Sequence, residues 1–306
     1  MSAPPPSGGD GALINEMLTD DELRAVLTRL GPEAERDAFG LVCRRWLRIQ
    51  SSERRRLRAR AGPDMLRRLA ARFPGILELD LSQSPSRSFY PGVIDNDLDV
   101  IAGSFRNLRV LALQNCKVAT VHASYRGLLS LKLMDCSKVG DKSIYALAKF
   151  CRNLECLVIG GCRNISDSSI EALAHACSSS LKWLRMDWCL KITDASLRSL
   201  LWNCKLLVAI DVGCCDQITD ASFLDSDRNV FQSELRILKM SSCLRVTVAG
   251  VRSMIESCKS LEYLDLRSCP LVTKDSCEQA GLQFPSGCKV NFDGSLLDTD
   301  PSAEFF

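Results

Sequence analysis

The stretch LKWLRMDWCLKITDASLRSLLWNC, residues 181–204, decides the fold. Its first half sets apolar residues at positions 0, +3 and +5 and a cysteine at +8: Leu181, Leu184, Met186 and Cys189. The same phrase begins at Leu108, Leu128, Leu154, Leu207, Leu235 and Leu261, with cysteines at Cys116, Cys136, Cys162, Cys215, Cys243 and Cys269. An eighth copy upstream, Ile76, Leu79 and Leu81, carries Ser84 in place of the cysteine. A fixed period of about 20–29 residues is the mark of a stacked array rather than of a compact enzyme fold.

Alternation around +3 to +6 predicts a short strand with one buried face. In the second half, Ile192, Leu197, Leu200, Leu201 and Cys204 have helical spacing, and Thr193 or Asp194 suits the helix N-terminus. Each unit is therefore strand, turn, helix, turn. One unit cannot bury its own apolar face, so units stack into a single curved core. The predicted fold is an α/β solenoid, with parallel strands on the concave side and helices on the convex side. Gly287, Val290 and Phe292 keep the phase of the last copy, so the final strand should end near Phe292.

Two spacings are irregular. From Ile76 to Leu108 the step is 32 residues, which fits an inserted loop at SPSRSFYPG before a helix over 95–105. From Leu108 to Leu128 it is 20, leaving only Lys117–Gly127 for the convex side. That segment is either a short repeat with an irregular convex side or a junction where whole repeats are missing.

Bulk properties bound the function. The 306 residues are 46% hydrophobic and 25% charged, with a net charge of +2, so nothing global argues for nucleic acid or membrane binding. No apolar stretch approaches the ~20 residues of a membrane span. The start, MSAPPPSGGDGA, lacks the charged and apolar regions of a secretory signal, and residues 1–16 read as a disordered tail. Of the sixteen cysteines, seven are the +8 residues, and Cys151, Cys177, Cys204 and Cys258 each follow one by 15 residues. Such register predicts rows of reduced, buried thiols in the cytoplasm or nucleus rather than disulfides. The sequon Asn164-Ile165-Ser166 reads as chance in that setting.

Chemistry is sparse. His122 and His175 lie in different repeats, no Cys-x-x-Cys occurs, and only Cys215 of the adjacent Cys214–Cys215 pair is in register. A zinc site therefore fails on spacing, no cysteine has a histidine to activate it, and no glycine-rich phosphate loop is present. The sequence predicts a binding protein, not an enzyme, with no metal and no cofactor.

Residues 17–61 follow a different rule. Leu23, Val26, Leu27 and Leu30 have helical spacing, Gly31-Pro32 interrupts, and Ala38, Phe39, Leu41, Val42 and Trp46 form a second apolar set. The segment LTDDELRAVLTRL from Leu18, followed by LVCRRW from Leu41, resembles an F-box. With the Leu/Cys phrases, the chain resembles the F-box/leucine-rich-repeat proteins of the cysteine-containing type. Two departures stand out: Thr19 occupies the place of the usual proline, and Val26-Leu27 that of the usual Ile-Phe pair.

That resemblance implies a substrate receptor of an SCF-type ubiquitin ligase, whose F-box docks on a Skp-type adaptor joined to a cullin scaffold. By motif position it implies Leu18, Val26, Leu27, Leu30, Leu41, Val42 and Trp46 as adaptor-facing or core residues. The alternatives are a repeat scaffold outside any ligase and a ligand-dependent co-receptor. The domain reading is a tail at 1–16, a helical module at 17–61, the solenoid at 62–292 and a flexible acidic tail at 293–306.

Eleven arginines between Arg44 and Arg72 face only Glu53 and Asp64 within that span. They read as solvated faces linking module and solenoid, or as a nuclear-import or acid-binding run over 54–60. For the substrate surface, positions +2, +4 and +6 should be exposed on the concave side. They offer an apolar row beside alternating charge, with Trp183, Arg185, Asp187, Lys239, Tyr263 and Arg267 as candidate contacts.

Overall fold

The structure, a computed structural model, describes residues 10–59, 62–83, 93–120, 125–223, 234–296 and 300–302. Four helices lead: α1 (Asp10–Met17), α2 (Asp20–Arg29), α3 (Glu33–Leu41) and α4 (Arg44–Glu53). Ten three-residue strands follow, all parallel and in chain order. They are β1 (Arg56–Arg58), β2 (Glu78–Asp80), β3 (Val110–Ala112), β4 (Ser130–Lys132) and β5 (Cys156–Val158). The sheet continues with β6 (Trp183–Arg185), β7 (Ala209–Asp211), β8 (Ile237–Lys239), β9 (Tyr263–Asp265) and β10 (Lys289–Asn291). Between strands lie α5 (Pro63–Arg72), α6 (Asp95–Ser104), α7 (Asp141–Phe150), α8 (Asp167–Ala176), α9 (Asp194–Asn203), α10 (Val248–Ser257) and α11 (Lys274–Gln279).

Register is the same at every step. The +3 residues pair strand to strand, Leu131 with Leu157, Leu157 with Leu184, Leu184 with Ile210 and Ile210 with Leu238. A repeated phrase allows this, because a slip of one residue would turn every leucine outward. The residues at 0, +3 and +5 are buried from Ile76 to Leu266 and form one continuous core with the convex helices.

The cysteines bind neighbouring repeats together. Each +8 thiol donates to the +5 carbonyl oxygen one repeat earlier. Cys136 reaches Leu113 O at 3.0 Å, Cys162 reaches Leu133 O at 3.3 Å and Cys189 reaches Ile159 O at 3.3 Å. Cys215, Cys243 and Cys269 continue the row onto Met186, Val212 and Met240. All sixteen cysteines are free thiols. Burial pushes those of Cys162 and Cys215 up to about 12, so they stay protonated and can donate.

A second ladder runs along the helix starts. The aspartate at the first helical position turns to the next repeat instead of capping its own helix. Asp194 accepts from Thr219 N and Oγ1, both at 2.7 Å, and from Ser222 Oγ at 2.5 Å. Asp167 does the same for Thr193 and Ser196, and Asp220 for Thr247. The N-cap belongs to the threonine: Thr193 Oγ1 accepts from Ala195 N.

The turn at +7 needs a left-handed backbone. Asn115, Asp135, Trp188, Cys214, Ser242 and Ser268 have φ between 56° and 59°, and Gly161 has 75°. Only glycine takes this conformation without steric cost.

Several boundaries differ from the sequence expectation. Residues 10–17 form α1, not a disordered tail, because Asn15 is held by α4: Trp46 Nε1 donates to its Oδ1 at 2.6 Å and Arg45 Nη1 to its carbonyl at 2.5 Å. The solenoid begins at β1, inside the expected helical module, with Leu57 opposite Leu79. The tail after β10 is packed rather than flexible where it is described, as developed below. The short repeat keeps the sheet intact, Leu111 pairing with Leu131. There Asp95 accepts from Ala119 N and Thr120 N, and Tyr125 fills the core and donates to Leu98 O at 2.8 Å. The inserted loop over 84–92 lies outside the described residues.

Two outcomes check this fold. An aromatic disulfide reagent should titrate at most the three partly accessible thiols, Cys43, Cys214 and Cys288, in the native chain and all sixteen after unfolding. Ser268→Gly, at an exposed left-handed position, should raise thermal stability by about 0.5–1 kcal/mol, read by calorimetry.

Candidate protein-interaction surfaces

The helical head has its own small core of Leu23, Leu27, Phe39 and Ile49, with Leu18, Leu30 and Trp46 packed on it. The Phe39 and Trp46 rings lie 4.4 Å apart. Thr19 starts α2 with a reciprocal cap: Glu22 N donates to its Oγ1 at 3.3 Å, and its own N–H donates to Glu22 Oε2 at 2.7 Å. The threonine thus does the work of initiating the helix.

The structure divides the seven residues implied by the F-box resemblance. Leu27 is in the core, while Leu18, Leu30 and Trp46 support it. Val26, Leu41 and Val42 are outside, at 40%, 84% and 56% exposure. Ile14 and Met17 of α1 are exposed as well. Asn15 joins Cys43 and Trp46, which holds α1 against the start of α4. Sequence spacing did not flag Ile14 and Met17, since α1 was not expected.

The head is wired into the solenoid. Only two residues separate α4 from β1, and Leu77 N and Glu78 N both donate to Arg55 O, at 2.8 and 2.9 Å. The arginines here are paired: Arg54 with Asp37 at 2.6 Å, Arg56 with Glu78 at 2.8 Å and Arg58 with Asp80 at 3.3 Å. Arg54 also lies over the Phe73 ring, 5.6 Å from its centre.

On the concave face the six candidate contacts come together on β6 to β9 and the turns that follow. Register aligns Trp183, Ala209, Ile237 and Tyr263 in one row and Arg185, Asp211, Lys239 and Asp265 in the next. The arginines are already engaged. Arg185 forks onto Asp187 at 2.8 and 3.0 Å, and Arg267 onto Asp265 at 2.8 and 2.7 Å. Gly160 makes room for the first fork, since a Cβ there would stand 2.1 Å from Asp187 Oδ1.

The expected exposure of the +2 and +4 positions fails widely: Cys156, Val158, Ala209, Asp211, Ile237 and Asp265 are buried. Tyr263 is not exposed but 1% accessible, because the chain after β10 returns over it. Leu296 packs on the row of Ala209, Ile237 and Tyr263, and Asp300 pairs with Lys239. Burial and the neighbouring Asp187 push the Asp211 carboxyl well above its ordinary value, against the pull of Gly213 N, Lys239 and Arg185. His175 is exposed, and His122 lies outside the described residues. Among the described residues no three of His, Cys, Asp or Glu are disposed to hold a metal.

Comparison with known proteins follows the same lines. A family profile described as "Leucine Rich repeat" matches residues 150–174. The Coronatine-insensitive protein homolog 1a of Oryza sativa subsp. indica is 28% identical over 235 residues, covering 70% of this chain and 38% of that protein. The F-box/LRR-repeat protein 12 of Arabidopsis thaliana is 32% identical over 159 residues, 39% of this chain and 40% of that protein. This chain therefore spans well under half the length of these curated relatives. A chain from the crystal structure of the yeast Rad7 and Elc1 complex aligns over 96% of this one at 16% identity with a TM-score of 0.41, too loose a likeness to inform function.

The buried carboxyl yields a pH test. Its folded-state value lies above the unfolded one, so the wild-type chain loses stability as pH rises through the interval between them. Asp211→Asn has no such loss. Its melting temperature relative to wild type should climb between about pH 4 and the raised value, then level off; a difference that does not vary with pH would show that Asp211 is not desolvated.

Proposed function

We propose that this protein of the F-box/leucine-rich-repeat type is the substrate-recognition subunit of an SCF-type ubiquitin ligase. Its helical head binds a Skp-type adaptor, itself joined to a cullin, and its concave face binds the protein to be modified. The chain contributes no chemistry of its own. It works by holding substrate lysines at high effective concentration near a separately bound ubiquitin-carrying enzyme.

The exposed apolar residues of the head carry this reading. The head's core is complete without Val26, Leu41, Val42, Ile14 and Met17, yet these side chains face water on a small module. Apolar surface left over after a core is satisfied marks a partner site. The two-residue link between α4 and β1 supports a positioning role, because a flexible hinge there would dilute the local concentration of substrate. Free, protonated thiols throughout the core fit a reducing compartment, and we place the protein in the cytoplasm or nucleus.

Co-expression with a Skp-type adaptor tests the proposal. Leu41→Asp with Val42→Asp should leave the melting temperature within a few degrees of wild type, since both side chains are exposed. The same change should weaken adaptor binding by about 100-fold. Leu27→Asp should instead unfold the head, because it places a charge in its core. Wild-type chain that recovers no adaptor would overturn the proposal.

A further inference from the structure

The chain after β10 is laid onto the concave face by a built turn. Gly294 N donates to Asn291 Oδ1 at 2.8 Å, and Gly294 has φ 95°, a backbone open to glycine. Asn291 Nδ2 in turn donates to Tyr263 Oη at 3.2 Å, fixing the turn to β9. From there Leu296 sits on the apolar row and Asp300 on Lys239. Ser302 closes the path: it has no exposed surface and donates to Asp300 Oδ1 from N at 2.9 Å and from Oγ at 2.7 Å.

We infer that the concave face between β6 and β9 is a groove for an extended partner segment bearing a leucine-like side chain and, four residues on, a carboxylate. Leu296 and Asp300 hold that groove as a built-in competitor. The inference rests on the reading of the concave face as the substrate surface and specifies what that surface recognises.

The chemistry of the groove selects this occupant. Arg185 and Arg267 are forked onto Asp187 and Asp265 within the repeats, so neither is available to an incoming anion without breaking a bidentate pair. Lys239 takes its carboxylate from the tail, at a site where both side chains are only 13% accessible. A partner that displaced Asp300 without an anion of its own would forfeit this half-buried ion pair. The patch beneath Leu296 is apolar apart from the Trp183 indole N–H and the Tyr263 hydroxyl, the latter engaged by Asn291. A substrate therefore matches the tail in both features and competes with a segment held at millimolar effective concentration.

The test uses the full-length chain and a fluorescein-labelled peptide of sequence DGSLLDTDPS, residues 293–302, followed by fluorescence anisotropy. The chain carrying Leu296→Ala and Asp300→Ala should bind this peptide about ten-fold or more tightly than wild type, because its groove is vacated. Adding Lys239→Glu should cancel that gain, and a peptide with Leu296→Ala and Asp300→Asn should not compete. Equal affinity for the wild-type and tail-variant chains, or binding indifferent to Lys239→Glu, would overturn the inference. If the double variant melts early, Asp300→Asn alone carries the same comparison. Adaptor recovery from the same preparations separates the two readings. Peptide binding without adaptor removes the ligase role alone, and adaptor binding without the peptide effect removes the groove alone.

Discussion

A buried thiol donating to a carbonyl one repeat earlier is the contact on which the architecture depends. A three-residue strand leaves the oxygen at +5 beyond the ladder. Leu113 O accepts from Cys116 N within its own turn at 3.1 Å and from the Cys136 thiol of the next repeat at 3.0 Å. Ile159 O is served in the same way by Cys162 N and the Cys189 thiol. Both lone pairs of a buried acceptor are thus used, and each use fixes the turn or the next layer. Serine could offer the same donor, but it would bury a stronger dipole in a core lined by leucine. Cysteine suits the site as a small hydrophobe with a weak donor.

The aspartate row adds a charge-assisted counterpart on the convex edge. Thiols tie the ends of the strands and, from Asp141 to Asp220, carboxylates tie the starts of the helices, so the middle repeats are each fastened to the next at two places. This lets the stack run through irregular units. The short repeat lacks a full convex helix in sequence, yet Asp95 and Tyr125 bridge it with the same kinds of contact. Because α4 leads straight into β1, the rod includes the head.

What the sequence made legible was whatever repeats. Leucines at fixed spacing and cysteines in register gave the solenoid, the parallel sheet and the reduced thiols. The first strand escaped notice because Arg54, Leu57 and Ala59 keep only the central leucine of the phrase. The left-handed turn at +7 is visible at Gly161 and Asn115 but hidden at Trp188, where nothing in the side chain announces it. In the head, spacing placed Val26 and Leu27 together, and only packing puts Leu27 inside and Val26 outside. Register aligns the expected rows on the sheet, but their burial was not foreseen: Leu296 and Asp300 belong to no repeat, and the chain reaches them through a turn at Asn291 and Gly294. Tertiary contact, rather than local pattern, buries Tyr263.

Native-state hydrogen exchange of the amides donated from strand to strand tests the central claim most directly. If the two ladders weld the repeats into one body, Leu113 N in the short repeat should exchange with the same opening free energy as Ile159 N and Met186 N in the regular ones. Exchange at Leu113 N that is faster by orders of magnitude, while Ile159 N and Met186 N stay protected, would mean that the stack parts at the short repeat and that the rigid rod does not exist.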